Sequence, residues 1–138
     1  MPPPPVSDDV DAFLANPNPA VVASVRGDGS PHSVATWYDW EGGRVLLNMD
    51  ENRLRLGFMR RDPRVALTVL DGADWSRHIS LLGRVVTLEE DLDLRDIDRL
   101  AVRYTGGPFR RRDRHRFSAW VEVDAWHGWA GGGPWPTG

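Results

Sequence analysis

The sequence predicts a mainly β fold, a six-stranded antiparallel barrel that carries a few short helices. Its apolar residues either alternate with polar ones or form runs of about four to eight, which is the spacing of strands. Glycine-containing turn signals separate the first three of these stretches, and such short turns favour antiparallel hairpins. The six predicted strands cover residues 20–25, 31–40, 44–49, 64–70, 75–90 and 117–126.

Length and composition indicate one globular domain. The chain has 138 residues, of which 41% are hydrophobic and 27% are charged, as is ordinary for globular proteins. No apolar run reaches the length of a membrane span, and the proline-rich start lacks the basic and apolar regions of a signal peptide. We therefore expect a cytoplasmic protein that does not enter a membrane. The domain is predicted over residues 7–129, with a flexible N-terminus over 1–6 and a flexible Gly/Pro-rich tail over 130–138.

Two missing residue types exclude several kinds of chemistry. Cysteine is absent, which excludes disulfides, thiolate catalysis and cysteine-ligated metals. All 17 basic residues are arginine, so no lysine is present to form a Schiff base. The net charge of −3 argues against a nucleic-acid-binding module, which is normally basic. The four histidines lack metal-ligand spacing, and we expect no metal site.

A short helix is predicted before the first strand. Ser7 is a suitable N-cap, and the two aspartates after it suit the first turn of a helix. Residues 16–19, Asn-Pro-Asn-Pro, end this helix. Turn sequences at 26–29 and 41–43 then join the first three strands as a meander of hairpins. The apolar face of the helix consists of Val10, Phe13 and Leu14.

Residues 44–71 form the unit around which we expect the chain to be organised: a strand, a short arginine-rich helix and a second strand. Asp50 is the predicted cap of this helix. Asp62-Pro63 ends it, because proline disfavours helical geometry in the residue before it. The predicted buried face of the helix comprises Leu54, Phe58 and Met59.

Two arginines at the start of that helix point to a binding site for an anion. Arg60 and Arg61 lie in the last turn, where a cation suits the helix dipole and needs no functional explanation. Arg53 and Arg55 lie near the first turn, where the dipole is unfavourable for a cation. Guanidinium groups beside free backbone N–H groups are typical of a phosphate or carboxylate site. The alternative is that both are solvated surface arginines.

The C-terminal part is predicted to hold a long strand, a helix and a last strand. Gly83 lies inside the long strand, where a glycine indicates a bulge or a bend at a barrel corner. Asp91 is the predicted cap of the helix, which ends at Gly106-Gly107-Pro108. The predicted buried face of this helix comprises Ile97, Leu100, Ala101 and Tyr104.

The order of these motifs resembles the pyridoxamine-phosphate-oxidase-like superfamily, whose members have the FMN-binding split-barrel fold. The resemblance rests on the turn Asp28-Gly29-Ser30-Pro31-His32, on the segment Thr36-Trp37-Tyr38-Asp39-Trp40 and, most specifically, on residues 46–67. It extends over about residues 7–129. Within the superfamily, the chain is most similar to the flavin/deazaflavin oxidoreductases assigned to coenzyme F-420.

The resemblance implies a homodimer with two cofactor sites at the dimer interface. Trp75 matches an aromatic position that reaches the cofactor across this interface in relatives. The positions that line the cofactor ring correspond to Val34, Ala35, Thr36 and Trp37. The positions that hold the ribityl and phosphate part correspond to Asn48, Met49, Arg53, Leu54 and Arg55.

The chain departs from the family pattern in two places. Arg55 replaces a common lysine, but a guanidinium keeps the charge and adds a bidentate contact to phosphate. Phe58-Met59 replaces a common Asn-Leu pair, which affects one polar cofactor contact. A basic loop is a candidate for the acidic tail of F-420 or for an acidic substrate; the alternative is a solvated loop that balances nearby aspartates. The arginines of this loop are Arg110, Arg111 and Arg112, followed by Arg114 and Arg116.

No side chain stands out as a catalyst, which suits an enzyme whose cofactor carries the chemistry. The resemblance implies a deazaflavin (coenzyme F-420)-dependent oxidoreductase that transfers a hydride from the reduced cofactor to a small unsaturated or aromatic substrate. Tyr38, Tyr104 and the histidines are candidate proton donors, and none is favoured. Three alternatives stay open: an FMN-dependent enzyme of the same superfamily, a non-catalytic cofactor or haem binder, and a barrel whose site has decayed.

Overall fold

A computed structural model describes residues 1–136 and shows a mainly β protein with one antiparallel sheet and three helices. The helices are α1 (Asp8–Leu14), α2 (Leu54–Arg61) and α3 (Arg95–Thr105). The strands are β1 (Ala20–Val25), β2 (Pro31–Thr36), β3 (Asp39–Glu41), β4 (Arg44–Asp50), β5 (Arg64–Leu70), β6 (Arg77–Glu90) and β7 (Arg116–Ala130). Their order in the sheet is β2-β1-β5-β6-β7-β4-β3.

The sheet has seven strands because the second predicted strand, residues 31–40, is interrupted at Trp37-Tyr38. The Tyr38 side chain is fully buried in the core, and its hydroxyl donates to the Leu14 carbonyl at 2.8 Å. The interruption carries the chain from β2, at one edge of the sheet, to β3, at the other edge. Only two residues join the two edges, so the sheet has to curl, but no ladder closes it within residues 1–136. The mainly β antiparallel class is therefore confirmed, whereas the six-stranded barrel is not.

The predicted irregularity at Gly83 is confirmed. Along the β6–β7 ladder, Leu82 pairs with Ala125 and Gly83 pairs with Val123, so one extra residue of β7 bulges between them. A Cβ at position 83 would overlap the backbone carbonyl oxygen of Glu122. The glycine thus lets the two strands approach each other closely where the ladder changes register.

Helix α2 differs from the prediction at its cap and on its buried face. The N-cap residue is Arg53, which makes no side-chain cap, and the Asp50 carboxylate accepts the N–H of Asn52 instead. Apolar periodicity placed Leu54 on the buried face, but the structure turns Arg55 inward and leaves Leu54 69% exposed. The buried residues of α2 are Arg55, Leu56 and Met59.

Helix α3 has most of the predicted face, and Asp91 caps it across an intervening turn. The helix begins at Arg95, but the Asp91 carboxylate accepts the N–H groups of Asp96 at 3.1 Å and Ile97 at 2.9 Å. The helix ends at Thr105, and its C-cap is Gly106, whose φ of 85° is the left-handed conformation that favours glycine. Its buried residues are Ile97, Leu100 and Ala101.

The two ends of the chain make contacts with the sheet. The indole Nε1 of the buried Trp135 donates to the His78 carbonyl at 3.0 Å, and the Pro2 carbonyl accepts the N–H of Trp126 at 3.0 Å. The domain boundaries and the flexibility of the ends stay predictions, and residues 137–138 of the predicted tail lie outside the described residues. Within residues 1–136, none of the helices combines the length and the apolar character that a membrane crossing requires.

Candidate functional site

A cleft of about 660 Å³ opens between β2, β4 and the segment from α3 to β7, and it brings together seven of the ten predicted site residues. These seven are Val34, Ala35, Thr36, Trp37, Asn48, Arg53 and Arg55. The strand that was predicted to line a ring and the turn that was predicted to hold a phosphate thus border one space. The sheet order explains why the strand and the turn lie close together. β2 and β4 lie at or near opposite edges of the sheet, and the curl of the sheet brings these edges together.

Three predicted residues do not line this cleft. Met49 is fully buried in the core, because the odd-numbered residues of β4, like Val45 and Leu47, face the core. Leu54 is exposed on the outer side of α2. Trp75 lies before β6 and is 77% exposed. The role of Trp75 was predicted across a dimer interface, so a single chain does not test it.

Two other lining residues were predicted in other roles. Asp50 was predicted as a helix cap, and Arg116 as part of the basic loop. The β4–β7 register places these two residues opposite each other, which no local sequence signal reveals. Tyr104, a candidate proton donor, and Arg111 of the basic loop also line the cleft. The lining residues for which the sequence predicted no role in the site are Pro17, Pro19, Ala20, Ile97, Leu100 and Phe109.

One part of the cleft carries an excess of positive charge. Arg53, Arg55 and Arg116 line it together, and Asp50 is the one carboxylate in its lining among the described residues. The Asp50 carboxylate lies 3.6 Å from Arg53 Nε and 4.0 Å from an Arg116 terminal nitrogen. One carboxylate is therefore shared between two guanidinium groups, and the third forms no ion pair with residues 1–136.

Arg55 is that third guanidinium. Its side chain is only 9% exposed, and its Nε has no hydrogen-bond partner within residues 1–136. Burial lowers the pKa of Arg55, and the positive charges of Arg53 and Arg116 lower it further. A buried charge of this kind is costly unless an opposite charge pairs with it. The cleft is thus suited to bind an anion at this point.

Asn48 holds one of the cations in place. Its side-chain oxygen accepts Arg116 Nε at 2.8 Å, and its amide nitrogen donates to Asp91 and to Ser118, each at 3.1 Å. All four side chains are buried. Because this network uses the amide of Asn48, we assign that amide to the positioning of Arg116 instead of to a direct ligand contact. Burial lowers the pKa of Arg116 first of all, and the positive charge of Arg53 contributes.

Another part of the cleft is aromatic. The rings of Trp37 and Tyr104 are parallel within 6° at 5.5 Å between centroids, and Phe109 meets Trp37 edge-on at 6.1 Å. The Arg116 guanidinium lies over the Phe109 ring at 4.6 Å. The aromatic cluster and the cationic cluster are therefore in contact through Arg116 and Phe109.

The two tyrosines do not have free hydroxyl groups. Tyr38 donates to a backbone carbonyl in the core, and Tyr104 donates to the Asn18 carbonyl at 2.7 Å. Burial raises the pKa of both phenols, so they stay protonated at neutral pH. Within residues 1–136, no group of three or more His, Asp or Glu side chains gathers as a metal site.

The arginines of the basic loop agree partly with each of the two interpretations that the sequence left open, an anion-binding loop and a solvated loop. Arg112 pairs with Asp98 at 2.8 Å, as a loop that balances nearby aspartates would. Arg111 pairs with Asp113 at 3.0 Å and also lines the cleft. The loop is thus partly neutralised, and one of its arginines borders the candidate site.

Several solved structures have this fold. An F-420 reductase is 25% identical over 84% of this chain and 94% of its own, with a TM-score of 0.77. A conserved hypothetical protein from Mycobacterium tuberculosis is 21% identical, with coverage of 94% and 88% and a TM-score of 0.72. General stress protein 26 from Bacillus anthracis is 17% identical, with coverage of 86% and 90% and a TM-score of 0.63.

No curated protein matches the chain. The family model described as pyridoxamine 5'-phosphate oxidase matches residues 6–130, which is nearly the whole chain and agrees with the resemblance seen in the motifs. The match includes both clusters of the cleft, from Val34 on β2 to Arg116 on β7. The chain therefore belongs to the pyridoxamine 5'-phosphate oxidase family, in the split-barrel superfamily.

Proposed function

We propose that the protein is a coenzyme F-420-dependent oxidoreductase that acts on a small unsaturated or aromatic compound. The observation that carries this proposal is Arg55, a buried guanidinium whose Nε has no hydrogen-bond partner among the described residues, in a cleft that also has aromatic walls. A ligand with both a phosphate and a flat ring matches this combination of surfaces. Coenzyme F-420 and FMN both contain these two groups.

In this assignment, each cluster of the cleft has its own task. Arg53, Arg55 and Arg116 hold the phosphate, beside the uncapped N-terminus of α2. Residues 34–37 and the Trp37–Tyr104 stack border the ring. When bound in its reduced form, the deazaflavin supplies a hydride. The protein binds and orients it and keeps water from its ring.

The protein's own side chains are not assigned a proton transfer. Both tyrosine hydroxyls are engaged with backbone carbonyls. The Asp50 carboxylate is shared between two arginines. No histidine lines the cleft among the described residues, so the proton that completes the reduction comes from water that reaches the substrate. The contribution of the chain is to hold the ring precisely against the substrate.

Two observations support F-420 over FMN. The F-420 reductase is 25% identical to this chain over most of both lengths. Arg111 adds a further cation to the cleft lining, which suits an acidic tail beyond the phosphate. The phosphate and the ring are common to both cofactors, so an FMN-dependent enzyme is the second candidate.

Titration of the purified full chain with oxidised F-420 and with FMN, followed by quenching of tryptophan fluorescence, tests the proposal. We expect both to bind at the cleft and F-420 to bind more tightly. The double variant Arg53→Ala, Arg55→Ala should lose most of this affinity. A matched control is Arg26→Ala, Arg64→Ala, which removes two exposed arginines outside the cleft. Binding of FMN without binding of F-420 would favour the second candidate, and unchanged affinity in the cleft variant would contradict both.

We also propose that the active form is a homodimer in which Trp75 of one subunit approaches the cleft of the other. The exposed fraction of Trp75, 77%, is unusual for a tryptophan on a free surface and suits a residue that a partner covers. The cytoplasm stays the predicted compartment.

A further inference from the structure

A second cavity lies beside the cleft, at the end of α3 and under the loop that follows it. Its volume is about 620 Å³, which is in the range of small-molecule sites. Trp37, Phe109 and Arg111 line both this cavity and the cleft. A molecule in the second cavity would therefore contact the same aromatic wall that borders the proposed cofactor ring.

The lining of this cavity combines apolar residues with arginines, and it contains no carboxylate among the described residues. Ala101 and Pro108 add to the apolar surface of the two shared aromatic residues. Arg110 and Arg111 supply the charge, and no Asp or Glu belongs to the lining among the described residues. Arg111 pairs with Asp113, whereas Arg110 has no ion pair within residues 1–136.

We propose that this cavity is the binding site of the substrate, and that the substrate is a flat, apolar molecule with an acidic group. The apolar wall takes the ring system, and Arg110 pairs with the acidic group. The assignment to a substrate rests on the proposed function, because it places the cavity next to the cofactor ring. The binding chemistry itself depends only on the lining, so the two can fail separately.

Gly107 belongs to the lining of the cavity and accepts a Cβ without a clash. A Cβ at Gly107 would meet no atom within 4 Å, and its φ lies outside the left-handed region. Gly107→Leu therefore adds a side chain to the lining of the cavity. Gly132→Leu is the matched control, since position 132 is equally open and lies outside this lining. Arg110→Gln removes the charge, and Arg26→Gln is its control on a distant turn.

The probe is anilinonaphthalene sulfonate, a flat apolar anion whose fluorescence rises on binding, compared with the neutral N-phenylnaphthylamine. With saturating FMN present, we expect the anion to bind at a single class of sites. Arg110→Gln should weaken it about fivefold, which is typical of one exposed ion pair. The neutral probe should be unaffected by that change. Gly107→Leu should weaken both probes, and the two controls should weaken neither.

Several results would overturn the proposal. Displacement of the probe by FMN would place it in the cofactor cleft. Displacement by F-420 but not by FMN would assign Arg110 to the acidic tail of the cofactor instead of a substrate. Equal affinity in Gly107→Leu and the wild type would show non-specific binding. If neither cofactor quenches tryptophan fluorescence while the probe still depends on Arg110 and Gly107, the proposed function fails and the anion site remains.

Discussion

Arg55 combines a cost in stability with a gain in binding. Its guanidinium is buried, and its Nε has no hydrogen-bond partner within residues 1–136. The Asp50 carboxylate is shared with Arg53 and Arg116, so the charge of Arg55 is only partly compensated. Replacement by methionine, of similar length, should raise the free energy of unfolding by about 1 kcal/mol. Inorganic phosphate should stabilise the wild type, because it binds only the folded state, and should not stabilise Arg55→Met. Urea denaturation with and without phosphate measures both effects.

Arg53→Met is the matched control for this prediction. Arg53 is largely exposed and already lies 3.6 Å from the Asp50 carboxylate, so its loss removes no buried charge. We expect little or no gain in stability and only partial loss of the phosphate effect. A loss of stability in Arg55→Met would show that the guanidinium has a structural partner that the cleft does not reveal.

Asn48 should control how well the cleft recognises phosphate without touching it. Asn48→Leu removes the acceptor that holds Arg116 Nε at 2.8 Å. FMN and riboflavin differ by the phosphate alone, so the ratio of their affinities reports on Arg116. We expect this ratio to fall about tenfold while riboflavin binds as before, since a charge-assisted hydrogen bond no longer fixes the guanidinium. An equal loss for both ligands would indicate general disorder of the cleft instead.

The sequence identified site residues that have a local signal, and it missed those that reach the site through contacts with distant parts of the chain. Arg53 and Arg55 were recognised because their charge is unfavourable at a helix start, which is a local signal. Arg116 was predicted only as part of the basic loop, because its position beside Arg53 and Arg55 depends on the pairing of Asp50 with Arg116 across β4 and β7. The use of the Asn48 amide by Arg116 and Asp91 depends on the same long-range pairing.

At the scale of elements, two glycines should respond to the same substitution in opposite directions. Gly83 lies where a Cβ would overlap a backbone carbonyl of β7, so Gly83→Ala should lower the free energy of unfolding by about 2 kcal/mol. Gly57 lies inside α2 with open space around it, so Gly57→Ala should raise it by about 0.5 kcal/mol. Urea denaturation of the two variants measures the difference. Equal effects would mean that the bulge at position 83 adapts to a side chain.

Element types were predictable, but two of their details were not. Residues 31–40 are rich in β-branched and aromatic residues and have no turn signal between Pro31 and Trp40, so the local pattern indicates one strand. The break arises because Tyr38 is drawn into the core, where its hydroxyl reaches α1. Similarly, apolar periodicity does not predict that α2 buries Arg55 and exposes Leu54. The Arg55 side chain is buried in the lining of the cleft, whereas periodicity identifies only apolar residues that pack into the core.

At the scale of the whole molecule, the sheet order explains why the site exists. β2 and β3 are neighbours in sequence but lie at opposite edges of the sheet. The curl that joins them brings residues 34–36 of β2, and Trp37 directly after it, close to the arginines that follow β4. Periodicity does not predict strand order, since contacts between distant segments decide it. The resemblance to a family supplied the split-barrel expectation, and the family match confirms the membership.

The proposed dimer makes a prediction that only an assembly of two chains can fulfil. Trp75 does not line the cleft of its own chain, so Trp75→Ala should weaken cofactor binding only if a partner supplies this ring. We expect Trp75→Ala and the double variant Arg53→Ala, Arg55→Ala each to bind cofactor poorly when pure.

Subunit exchange between these two variants tests the dimer. In an equal mixture, half of the dimers contain one subunit of each variant, and each of these mixed dimers has one intact site and one doubly defective site. About a quarter of all sites should therefore regain binding. Fluorescence titration of the mixture measures this fraction, and no recovery in a mixture shown to exchange would mean that Trp75 acts within its own chain or not at all.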